Sequence, residues 1–92
     1  MEIVRRSETP EGIAVVLPAV SYAKVLEEHA AVADLDLIDR TVPMPDARRL
    51  DARPGRERFF RHEPGIWVLA VVEFNEVPAI IATVFSADHQ PV

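Results

Sequence analysis

The pattern of the chain predicts an α+β fold: one or two N-terminal strands, two helices, then a four-stranded antiparallel meander. Three observations carry this expectation. Helical periodicity is confined to one stretch, residues 21–42. The segments after Ala47 are β-rich and punctuated by Pro-Gly turns. Helices and strands are therefore segregated along the chain, not alternating as a parallel α/β sheet requires.

The elements follow in order. Glu2–Ser7 and Gly12–Leu17 are β-rich runs joined by Thr9-Pro10-Glu11-Gly12. Proline presets φ at the second position of a turn and glycine supplies a permissive corner, so the pair reads as a hairpin or a frayed strand before a firm one. Pro18 ends the second run, and Ser21 is the expected N-cap of a helix to about Val32. Tyr22, Val25, Leu26, His29 and Val32 or Ala33 mark its inward face at i, i+3, i+4, i+7 spacing. Asp34 caps a shorter helix that turns Leu35, Ile38 and Val42 to one side, and Pro43-Met44-Pro45 stops it. Ala47–Asp51 reads as a short edge strand, Glu57–Arg61 as a second strand and Ile66–Phe74 as an apolar central strand. Pro78 opens a last strand, Ala79–Phe85, where a missing N–H matters least. The helices are expected across one face of an antiparallel sheet, leaving the other face or its rim for a ligand.

The chain has 92 residues, which fits one domain, with a core over about residues 12–88 and a loose tail at 89–92. A 49% hydrophobic content suits a globular protein. The lack of cysteine removes disulfides, zinc thiolates and thiol nucleophiles together. No apolar stretch of signal-peptide length follows the opening MEIVRRSETPEG, and the longest apolar runs, Ile66–Val72 and Val77–Phe85, are too short to span a bilayer. A soluble, cytoplasmic protein with no membrane partner is expected.

Chemistry-bearing motifs are few. There is no phosphate-binding glycine loop, and the three glycines are scattered. His29, His62 and His89 are too far apart in sequence to suggest a metal site, and no cofactor is implied. The acidic helices, with Glu27, Glu28, Asp34, Asp36 and Asp39, argue against a DNA-reading helix. The unusual stretch is residues 48–61, RRLDARPGRERFFR. Six arginines there face only Asp51 and Glu57, a local charge of +4 in a chain of −5, so the remainder carries −9. Such a strip suits phosphate contacts, which are local. The plainer alternative is a hairpin whose arginines pair with neighbouring acids.

Five stretches in order, VVLPAVSYAKVLEEH, LIDRTVPMPDARRLD, RERFFR, IWVLAVVEF and IIATVFS, resemble the compact nuclease family of the BECR fold. That family unites phage barnase-like domains, EndoU, colicin-type ribonucleases and RelE-type toxins, and the likeness spans residues 13–88. The resemblance implies a RelE/barnase-like sheet and a metal-independent endoribonuclease that leaves 2′,3′-cyclic phosphates. It implies RNA as substrate and a cognate antitoxin protein as partner in a bacterial toxin–antitoxin pair. It places His29 on the second helix histidine, Arg61 (with Arg58) on the hairpin arginine, and Thr83 on the last-strand threonine. Lys24, Arg56, Arg58 and Ser86 are the implied substrate-binding set. The chain departs from the pattern at Lys24, where a histidine is usual, at Ala30, where proline is usual, and at Phe85, which lacks a tyrosine hydroxyl. A catalytically inactive relative that binds RNA or protein, or its own copies, is the alternative that these departures and the acidic helices favour.

Each residue also has a plainer reading. His29 near a helix end can simply pack or interact with the helix dipole. Arg58 and Arg61 have opposite strand parity, so only one can share a face with Thr83, and the resemblance favours Arg61. Thr83 is also simply a good strand former, and Ser86 a turn cap. Trp67 reads as core, and His62 and His89 as exposed loop residues.

Overall fold

Pro18 sets the start of the helical region. Its φ of −67° with an extended ψ of 147° makes it the N-cap of α1, Ala19–Glu28, with no side-chain cap. The expected Ser21 cap is therefore corrected: Ser21 lies inside the helix and is buried. α1 also stops at Glu28, not near Val32, because His29 leaves the helical region at φ −139° and a 3₁₀ turn, Ala30–Val32, follows. The inward face of α1 runs through Ser21 and Val25. Val25 and Val32 are fully buried, but Leu26 is 51% exposed, against expectation. Asp34 does cap α2, Leu35–Thr41, accepting from the N–H groups of Asp36 and Leu37.

The structure, a computed structural model, describes residues 1–88. The expectation of a loose tail at 89–92, with His89 in it, lies outside the described residues. The strands are β1 Ile3–Glu8, β2 Ala14–Pro18, β3 Ala47–Leu50, β4 Arg56–Glu63, β5 Ile66–Glu73 and β6 Ala79–Ala87. They form one six-stranded sheet in the order β1-β2-β6-β5-β4-β3. The fold class is α+β as expected, but the sheet is mixed, not antiparallel. β2 and β6 run parallel, paired at Val15–Ala79 and Val16–Ile80. The chain leaves β2, crosses through both helices and the β3–β5 strands, and returns beside β2 as β6. A parallel pairing needs such a long crossover. β1 is no frayed end: it pairs along β2, and Val4 packs on the core.

Side chains alternate between two faces. On one face α1, the 3₁₀ turn and α2 cover Val15, Leu17, Phe59, Val68, Ala70, Val72, Ile81 and Val84, the main core. Among the described residues no helix packs on the other face. It holds a smaller apolar group of Phe60, Leu69 and Val71, with Trp67 and Phe85 against it. The Pro-Gly turn before β4 depends on its glycine through the backbone, and a side chain there would also displace Asn75. Gly55 has φ +81°, and a Cβ there would stand 2.3 Å from the Asn75 side chain.

Candidate nucleic-acid interface

Register decides which candidate residues meet. Arg58 pairs with Val71, and Val71 with Thr83, so these three form one row across the open face. Arg61 pairs with Val68, and Val68 with Ser86, on the helix-covered side. The expectation that Arg61 shares a surface with Thr83 is therefore corrected: Arg58 does. The physical reason is the Phe59-Phe60 doublet. Phe59 enters the main core and Phe60 the open face, which fixes the parity of every residue in β4.

Arg61 works on the other side as a structural residue. It donates to the Met44 carbonyl at 2.6 Å and to Glu63 at 3.4 Å, tying the end of the α2 region to β4. Glu63 also takes Arg40 at 2.9 Å. Arg40 and then Arg61 hold its carboxyl below the usual range.

Arg58 is 43% exposed and donates to Asp51 at 2.7 Å. This contact is the largest cause that lowers the Asp51 pKa. Arg56, one row along on the same face, donates to Glu73 at 2.6 Å and lowers that carboxyl in turn. Arg48 faces the core side. It lies 4.3 Å over the Phe59 ring, contacts Glu57, and reaches Glu11 at 2.6 Å in the turn between β1 and β2. That last bond holds Glu11 at about 2. The arginines of the strip are thus largely matched by acids, as the plainer reading expected, and Arg58 and Arg56 are matched on the open face.

His29 stands at the C-terminal end of α1. β6 pairs with β2 only at its start, so its later margin is bordered by the 3₁₀ turn and not by a strand. From there the imidazole reaches Phe85, with ring centroids 5.8 Å apart, and lies 3.9 Å from the Glu28 carboxylate. Phe85 belongs to the open face, so His29 sits at its rim. Arg58 and Thr83 are two strands apart, about 10 Å between backbones. Lys24 is exposed on α1 and does not join the row. Ser86 is exposed at the end of β6.

Two features were missed in the sequence. Asp51 is the partner that holds Arg58. His62 is not in a loop but in β4, where its ring stacks on its cross-strand partner Trp67 at 4.7 Å and 28°. The signal was there in retrospect: His62 and Trp67 are placed symmetrically about the Pro64-Gly65 turn. Trp67 is half-buried in the open-face group, not in the main core. Among the described residues no three His, Cys, Asp or Glu gather as a metal site. No described helix is long and apolar enough to cross a membrane.

The chain matches no protein-family model, and comparison with curated proteins and with solved structures gave no match either.

Proposed function

We propose that the open face binds RNA in a metal-independent, ribonuclease-like domain of the BECR type. The observation that carries this reading is the Arg58–Val71–Thr83 row on the helix-free side, with His29, at the end of α1, reaching Phe85 of the neighbouring row at the rim of that face. Cleavage of this kind joins the 2′-oxygen to phosphorus and breaks the bond to the 5′-oxygen. One group takes the 2′-OH proton and one protonates the departing oxygen. His29 takes the 2′-OH proton, and solvent water supplies the proton to the departing 5′-oxygen. Arg58 takes the place first given to Arg61 and binds the charged phosphoryl oxygens, for which a guanidinium fork is suited. Thr83 orients the phosphate, and Arg56 holds the neighbouring backbone. The product is a 2′,3′-cyclic phosphate. In the toxin role the protein acts in the cytoplasm, and a cognate antitoxin covers the open face.

A second reading, RNA binding without turnover, is favoured by a specific observation. Arg58 and Arg56 are already held by Asp51 and Glu73, and Lys24 stands away from the row. One experiment separates the two. Purified protein is incubated with total RNA in EDTA, alongside His29→Ala and Arg58→Ala. Cleavage to cyclic ends that both substitutions abolish supports the enzyme. Retention of intact RNA, weakened by Arg58→Ala alone, supports the binder. RNA neither cut nor retained overturns both.

A further inference from the structure

At the end of the sheet, two open-face rows beyond Arg58, lies a cavity of about 460 Å³, which His62 and Trp67 line from the open face and Ile66 and Ser86 from strand positions of the other parity. His62, Gly65, Ile66, Trp67, Ser86 and Asp88 line it. The volume falls in the range of small-molecule sites. Its wall is the stacked pair of His62 and Trp67. Its polar groups are a hydroxyl, Ser86, and a carboxylate, Asp88, both exposed.

We propose that this cavity is a nucleobase-binding site. A flat, amino-bearing heterocycle stacks on the Trp67–His62 pair, donates from its amino group to Asp88, and uses the Ser86 hydroxyl as a second partner. The chemistry selects this class. Aromatic side chains are sequence-tolerant platforms for bases. An ionised carboxylate only accepts hydrogen bonds, so it favours cytosine, adenine or guanine, which carry amino groups, over uracil. Among the described residues no arginine or lysine lines the cavity, and Asp88 repels anions, so the phosphate stays outside. The choice of nucleobases among flat rings rests on the RNA reading above; the stacking wall and the carboxylate do not.

The test uses fluorescence of the full chain, because Trp67 is its only tryptophan. Cytidine and uridine differ at the amino group and are titrated in parallel with cytidine monophosphate and a short oligocytidylate. Cytidine is expected to quench saturably, with half-saturation at about 1 mM from one stack and one charge-assisted hydrogen bond. Uridine binds about tenfold more weakly, and Asp88→Ala removes that difference. Ser86→Ala weakens cytidine, and the monophosphate binds no tighter than the nucleoside. Quenching that never saturates, or that saturates equally in wild type, Asp88→Ala and His62→Ala, overturns the site. An oligocytidylate that binds at least tenfold tighter identifies the base as part of an RNA strand; equal affinity identifies a free nucleoside. Cytidine binding in a protein that neither cuts nor retains total RNA would leave the cavity standing and remove the RNA reading.

Discussion

Arg58 and Arg61 are three residues apart, and substituting each by alanine should produce opposite signatures. Arg61 is 24% exposed and donates to the Met44 carbonyl at 2.6 Å. A hydrogen bond from a charged donor in a partly screened setting contributes about 1 kcal/mol. In a chain of this size that lowers Tm by about 4–8 °C. Arg58 is 43% exposed, and its pair with Asp51 contributes little to stability because surface ion pairs are solvated and screened. Its loss should move Tm by less than half as much. Binding of single-stranded RNA should show the reverse. Each phosphate neutralised adds about 0.7 to the slope of log K against log salt, so Arg58→Ala flattens the slope by about 0.7. Arg61→Ala should leave the slope unchanged. Thermal unfolding by circular dichroism and fluorescence anisotropy across a salt series give both readouts. If Arg61→Ala flattened the slope while Arg58→Ala lowered Tm, the assignment of faces would be wrong.

The same parity governs the two phenylalanines between them. Phe59 is fully buried in the main core, and Phe59→Ala should cost about 3–5 kcal/mol in urea unfolding, with Phe60→Ala, 7% exposed in the smaller group, costing less. Equal losses would contradict the two-face packing. Acid should destabilise the protein with a definite sign. Glu11, Asp51, Glu63 and Glu73 have lowered pKa values in the folded state, so their contribution is present above the unfolded value and lost as pH falls through the folded one. Tm should hold near neutrality and decline from about pH 5 to pH 2, and Arg48→Met should make the lower end of that decline shallower by releasing Glu11. Tyr22 donates from its hydroxyl to the Ala33 carbonyl at 2.7 Å and ties α1 to the 3₁₀ turn. Tyr22→Phe should cost about 1 kcal/mol and shift the His29 ring resonances in NMR as the contact with Phe85 loosens; unchanged resonances would show that this tie does not position His29.

The sequence made some of this legible and hid the rest for identifiable reasons. Asp34, the Pro-Gly turns and the edge position of β3 follow from local chemistry and are seen in the structure. The parity difference of Arg58 and Arg61 was also legible, but its direction was not. Both faces of β4 take a phenylalanine, so apolar alternation gives no vote on which side meets the helices. The helix boundary misled through Ser21, a residue type that favours caps, because Pro18 already supplies the start. The parallel β2–β6 pairing depends on contacts between residues 15–16 and 79–80, and a strand pattern of period two carries no information on direction. Asp51 read as a turn residue, and only the fold brings its carboxylate to Arg58.

The crowding of arginine in an acidic chain then has a physical account in two parts. On the core side, Arg48 spans from Glu57 to Glu11, so the turn of the first hairpin is joined to the opposite edge strand, and its guanidinium lies over Phe59. Arg61 and Arg40 converge on Glu63 beneath the segment that follows α2. These arginines hold elements together, and a lysine would lose the flat contact and the forked donors. On the open face Arg58 is the more solvated and its pair with Asp51 adds little to stability, whereas the Arg56–Glu73 pair is as covered as those on the core side. On the RNA-binding reading proposed above, a phosphate that replaced Asp51 would meet a guanidinium already desolvated on one side and aligned by the strand. The released carboxylate returns to water, where its charge is well solvated. Such an exchange would require no rearrangement of the sheet, since Asp51 already holds the Arg58 guanidinium through a single side-chain bond. Within β3 and β4, strand parity decides which face each arginine meets, and the acid that fold or register brings to it decides how firmly it is held.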